Sequence, residues 1–196
     1  MTTRDRILDA AAEVIGRLGL AKTTTREIAR VAGFAEATIY KNFRDKEDLV
    51  TRVQLERMPS FFRLVQGLPG RVGQGTVLGN LTEFTEAALE HYRQTFPMAA
   101  SLFAEPRLLA AQREALRKVN GGPHLANDGL AAYLRAEQEQ GRIGPEAQPD
   151  AAAALLIGAC FQRAFLDHFA GVDVAPAGPG AADLARAAVE GFGLAS

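Results

Sequence analysis

Apolar residues recur every three to four positions along almost the whole chain, and no stretch alternates strictly between apolar and polar before an Asn-Gly or Asp-Gly turn. This pattern predicts an all-α protein. Ile7, Leu8, Ala11, Ile15 and Leu18 share one face of a first helix that starts after Thr2 or Thr3 and stops at Gly19. Thr24-Thr25-Arg26-Glu27 has the spacing of a capping box at the head of a second helix, with Ile28, Ala29 and Ala32 inward and Gly33 as its stop. A short third helix over 35–43 turns Ile39 and Phe43 inward. Asp45 then caps a fourth helix carrying Leu49, Val50 and Val53, which Pro59 ends or kinks for want of an amide proton. Residues 67–75 read as a connection, so an organisational boundary falls between Pro59 and Gly75. Further helices are expected near 76–95, 97–104, 106–120, 123–140, 149–170 and 181–192, with Pro97, Pro106, Pro123 and Pro149 in first turns and a loop over 171–180.

A chain of 196 residues with 47% hydrophobic and 23% charged residues suits one large or two small domains and excludes disordered and collagen-like classes. Eleven basic and nine acidic residues between Met1 and Arg57 make that stretch +2 within a chain of −1, leaving −3 for the remainder. Any polyanion site must therefore depend on local placement of charge. The single cysteine, Cys160, excludes an internal disulfide, reads as a small buried hydrophobe, and suits a reducing compartment. The apolar run 151–161 falls short of the roughly 20 residues of a membrane span, and the amino terminus lacks a secretory pattern. A cytoplasmic protein with no membrane partner is expected. HExxH, a glycine-rich phosphate loop and a GxSxG elbow are all missing, so no enzyme is expected; scattered His91, His124 and His168 suggest no metal, and no cofactor is implied.

Residues 24–43, TTREIARVAGFAEATIYKNF, have the spacing of a helix-turn-helix, with small Ala29, permissive Gly33 and apolar Ile39 at the three defining positions. Flanked by ILDAAAEVIGRLGL and by RDKEDL, the motif resembles the amino-terminal domain of the TetR family of bacterial one-component regulators. The resemblance implies an amino-terminal three-helix DNA-binding domain over 1–57. It further implies a helical effector-binding and dimerisation domain over 58–196 and a homodimeric regulator, usually a repressor, released from a palindromic double-stranded operator by a small molecule.

A recognition helix needs short side chains at its leading end and polar ones outward, which Ala35, Ala37 and Thr38, followed by Tyr40, Lys41 and Asn42, supply. Lys46 can grip the phosphate backbone, and Thr25 is the matching anchor on the second helix, while Thr24 fills the cap position. Ala35 departs from the family, which often has a hydroxyl residue there. Glu36 is read as a helix-start cap without DNA contact; accepting from a cytosine amino group or orienting Arg26 or Lys41 are the alternatives.

In the second domain, 151–169 is apolar around much of its circumference. Ala152, Leu155, Gly158, Ala159 and Phe165 are the candidate dimer contacts, although a buried core helix would look the same. Phe84, Phe103 and Tyr133 are the candidate lining of an apolar effector pocket, with core packing as the alternative. The competing function is a helical small-molecule binding or carrier protein, which would leave Tyr40, Lys41 and Lys46 without purpose. The effector is expected to act through the segment 57–62.

Overall fold

A computed structural model describes residues 1–20, 22–57, 59–118, 120–171 and 178–191. Among these the chain forms ten α-helices and no strand. They are α1 (Thr3–Leu18), α2 (Thr25–Ala32), α3 (Glu36–Asn42), α4 (Lys46–Arg57), α5 (Pro59–Gly67), α6 (Val77–Phe103), α7 (Pro106–Lys118), α8 (His124–Glu139), α9 (Pro149–Ala170) and α10 (Ala181–Gly191), with a 3-10 turn at Leu68–Arg71. The expected helix end at Phe192, most of the expected loop 171–180, and Met58 within the expected transmission segment lie outside the described residues.

The chain divides into two compact units, Met1–Pro59 with Gln94–Gly122, and Ser60–Arg93 with Pro123–Ser196. The first unit thus extends beyond the expected limit at Arg57. Its core explains why: Met98, Leu102 and Leu108 are buried together with Ile7, Leu8, Val14, Ile28, Ile39, Phe43, Leu49 and Val53. Local caps set its helices. Thr2 and Asp5 form a reciprocal capping box on α1, and the Thr24 hydroxyl accepts from the Glu27 amide at 3.2 Å. The other half of the expected box is missing, because the Glu27 carboxylate is taken by Arg30 at 2.7 Å and Arg17 at 2.9 Å. Arg30 first, then Arg17, hold that carboxyl down to about 2. Asp45 caps α4 by accepting from the Asp48 amide at 2.7 Å.

Two departures from the expected helices are informative. The residues after Arg57, expected as a break, resume as α5 at Pro59, whose missing amide proton is harmless in a first turn. The helices expected at 76–95 and 97–104 are one 27-residue helix with Pro97 inside it. A proline leaves the carbonyl four residues earlier without its helical donor. Here that carbonyl belongs to Arg93, and the His168 Nε2–H donates to it at 2.8 Å from α9. A side chain thus takes the place of the absent amide at this carbonyl.

The second unit buries Phe61, Leu68, Leu81, Phe84, Leu130, Tyr133, Leu134, Leu156, Ile157 and Cys160 in one cluster. Glu137 is fully buried within it; the Gly73 amide donates to its Oε1 at 3.3 Å and the Arg142 Nε lies 3.2 Å from Oε2. The Arg142 charge offsets the buried carboxylate in part, while Oε2 accepts no hydrogen bond among the described residues. Burial pushes the Cys160 thiol up to about 12, in keeping with its reading as an inert hydrophobe. No helix among the described residues is long and apolar enough to cross a membrane.

Candidate nucleic-acid interface

The α2–α3 corner is built by the backbone. Gly33 has φ +73° and ψ 34°, the left-handed conformation a glycine adopts without strain, and the Phe34 amide reaches back to the Ala29 carbonyl at 2.9 Å. Arg6 of α1 secures the turn from outside. Its guanidinium donates to the Ala32 carbonyl at 3.0 Å and lies 4.5 Å from the Phe34 ring centroid. Arg4 likewise covers Phe43, at 5.4 Å from its ring. Neither arginine was singled out in the sequence, where each was only one more charge at the head of α1.

With α3 positioned, helical geometry sorts its side chains. Ile39 is fully buried, and at about 100° per residue Ala37 and Lys41 fall opposite it. Both are exposed and occupy the centre of the outward surface. Glu36 and Tyr40 lie one turn apart on the flank facing α2, and Thr38 and Asn42 on the other. Tyr40 is 54% exposed. Ala35 is exposed at the N-cap position and makes no side-chain cap bond, as its methyl dictates. The carboxamide of Asn42 turns back to donate to the Thr38 carbonyl at 2.8 Å.

Thr25 is buried in the first turn of α2 and meets α3 directly. Its hydroxyl donates to Glu36 Oε1 at 2.5 Å and lies 3.2 Å from the Tyr40 hydroxyl. A carboxylate only accepts, so the Thr25 proton goes to Glu36 and the Tyr40 hydroxyl donates to Thr25. Lys46 differs from the expected free cation, since its Nζ donates to the Leu20 carbonyl at 3.2 Å and so ties α4 to the α1–α2 connection. The structure therefore brings Thr25, Glu36 and Tyr40 together, and leaves Ala37 and Lys41 outward beside them.

The other expected sites divide. Phe84 and Tyr133 are buried in the second unit's core; Phe84 lies 5.4 Å from the Phe61 ring, and Tyr133 accepts from Asn80 Nδ2 at 2.9 Å. Phe103 is 72% exposed and belongs to the first unit. On α9, Ala152 points into its own core with Ala153, Leu156 and Cys160, which corrects its reading as a dimer contact. Leu155, Gly158 and Phe165 lie on the exposed side, with Phe161, Leu166 and Phe169, and Ala159 is half-buried.

Comparison with known proteins agrees with this geometry. Residues 7–53 match the model of the bacterial regulatory proteins of the tetR family. The chain is 28% identical over 148 residues to an uncharacterized HTH-type transcriptional regulator, YvkB, of Bacillus subtilis, covering 74% of each chain. Its fold is similar to that of the fatty acid degradation regulator FadR of Bacillus halodurans, with a TM-score of 0.68 at 20% identity over 98% of this chain and 95% of that one. It is similar also to FadR of Bacillus subtilis, solved in complex with stearoyl-CoA, with a TM-score of 0.64 at 19% identity over 95% and 94% of the two chains. Residues 7–53 thus carry the amino-terminal helix-turn-helix of the tetR family of bacterial regulatory proteins, and the chain as a whole is similar in sequence to a transcriptional regulator and in fold to others.

Proposed function

We propose that this protein is a homodimeric repressor that leaves a two-fold DNA operator when a small molecule binds its second unit. The observation that carries the DNA reading is the sidedness of α3, with Ile39 fully buried and Ala37, Tyr40 and Lys41 exposed on a helix that α1 and α2 hold in place. Ala37 is short enough to bring the helix close to base edges, while Lys41 and Tyr40 reach phosphates. Thr25, Ala35, Thr38, Asn42 and Lys46 are assigned to the same surface, Thr25 and Lys46 chiefly as groups that position it.

Two recognition helices on successive major-groove faces must stand about 34 Å apart, which requires a self-complementary interface. The apolar side of α9 supports that role: Leu155 is 58% exposed and Phe169 83%, an arrangement a lone globule seldom leaves in water. We assign Leu155, Gly158, Ala159 and Phe165 to the interface, and Phe84 and Tyr133, with Phe61 and Tyr92 nearby, to the wall an apolar effector meets. Long-chain acyl-CoA thioesters, one of which accompanies the Bacillus subtilis FadR structure, head the compounds to be screened.

A mobility-shift assay with duplex DNA from upstream of the gene tests the reading. Salt-dependent retardation is expected, with one dimer bound per site and release by one screened compound. Salt-insensitive binding, or none at any upstream sequence, would sink it and leave a helical carrier as the better account.

A further inference from the structure

Glu36 places a negative charge at the head of the helix assigned to a polyanion, and the structure excludes two ordinary reasons for it. It is not a cap, since Ala35 occupies that position and no amide of α3 among the described residues donates to the Glu36 carboxylate. Nor does it orient Arg26 or Lys41, because Glu36 forms no ion pair among the described residues. Its one partner among the described residues is the Thr25 hydroxyl at 2.5 Å, from the neighbouring helix. Thr25 is buried, so it fixes the carboxylate with Oε1 occupied. Glu36 itself is exposed, one turn ahead of Tyr40 on the same flank.

A carboxylate held beside phosphates is repelled unless the duplex offers it a donor. In the major groove only the adenine N6 and cytosine N4 amino groups donate. Adenine carries the N7 acceptor beside its amino group, which opposes a second carboxylate oxygen. Cytosine presents a C–H there. We infer that Glu36, held by Thr25, reads a cytosine through its Oε2, so that each operator half-site carries a G·C pair facing the head of α3. This rests on the assignment of α3 to the major groove, and it names one base that the surface selects.

The test is selection of bound duplexes from a randomised library by the full-length protein and by the E36A and E36Q variants, followed by affinity measurements on the selected sites. The wild type is expected to enrich a two-fold site with a cytosine at one fixed position per half-site, and replacing it should weaken binding roughly tenfold. E36A should keep the rest of the site and lose preference at that position alone. E36Q should move the preference there to adenine, because a carboxamide matches its N6–H and N7 together. If E36A and E36Q enrich the same bases as the wild type while binding more tightly, the carboxylate only repels and the inference is overturned. If the wild type enriches no two-fold site, both this inference and the DNA reading beneath it fall.

Discussion

The His168 bond falls on the Arg93 carbonyl, the one that Pro97 leaves without its helical donor, and the energetic dependence between the two can be measured. Substituting Pro97→Ala supplies a donor four residues after Arg93 and removes a residue that costs an interior helical position about 3 kcal/mol relative to alanine. Part of that gain is offset by the greater entropy of the unfolded chain without proline, roughly 1 kcal/mol, and by the displaced His168 contact, worth about 1 kcal/mol. A net stabilisation of about 1 kcal/mol follows. Substituting His168→Ala in the proline background leaves the carbonyl short of a donor and should cost about 1 kcal/mol. In the alanine background the restored amide takes over, and the same change should cost almost nothing. A double-mutant cycle by urea unfolding should therefore return a coupling near 1 kcal/mol between residues 71 positions apart. In a chain of this size it corresponds to a melting shift of roughly 2–4 °C. Additive effects, or a Pro97→Ala variant less stable than the wild type, would show that the ring's packing and not the missing proton governs this site.

Three further outcomes are expected. Lys41→Ala should lower the slope of log affinity against log salt by roughly 0.9 per subunit, while Lys46→Ala should lower it less, because the Lys46 ammonium already serves the Leu20 carbonyl at 3.2 Å; equal slopes for the two would contradict the assignment of Lys41 to phosphate. Burial pushes the His91 imidazole down to about 4, so between about 6.5 and about 4 the unfolded chain binds a proton the folded chain refuses. Stability should fall with pH through that window, by up to about 3 kcal/mol, and level off beneath it, and His91→Phe should flatten this part of the profile relative to the wild type. Cys160, buried and with its thiol pushed up to about 12, should resist iodoacetamide at neutral pH in the native protein and react once urea unfolds it; rapid native labelling would count against its place in the core.

Where a helix boundary depends on adjacent residues, periodicity and capping chemistry located it, as at Thr2, Thr24, Gly33 and Asp45. The failures share a cause. Pro97 obeys a local rule that His168, far along the chain, overrides. The Thr24–Glu27 spacing was right for a reciprocal box, but Arg17 and Arg30 compete for the same carboxylate. Phe103 and Phe84 are identical as letters, yet one is exposed and the other buried, because aromatic identity alone does not tell which side of a helix meets a neighbour. In the interface the outward residues of α3 could be read from the turn and from Ile39. The bond joining Thr25 to Glu36 could not, since it needs the angle between two helices, and the same holds for Arg6 against Phe34.

The fastening of α4 to α1 bears on how any signal must act. Arg4 holds Glu56 through two bonds of 2.7 and 2.6 Å, and Arg57 reaches Asp5 at 2.9 Å and Asp9 at 2.6 Å. The last turn of α4 and the first turns of α1 are thus double-riveted, and Arg6, two residues past Arg4, grips the corner that sets α3. A tug on the far end of α4 cannot swivel the reading helix within its own mount. On the proposed function, such a pull would carry α1, α3 and α4 together as one block, with the reading edge unchanged.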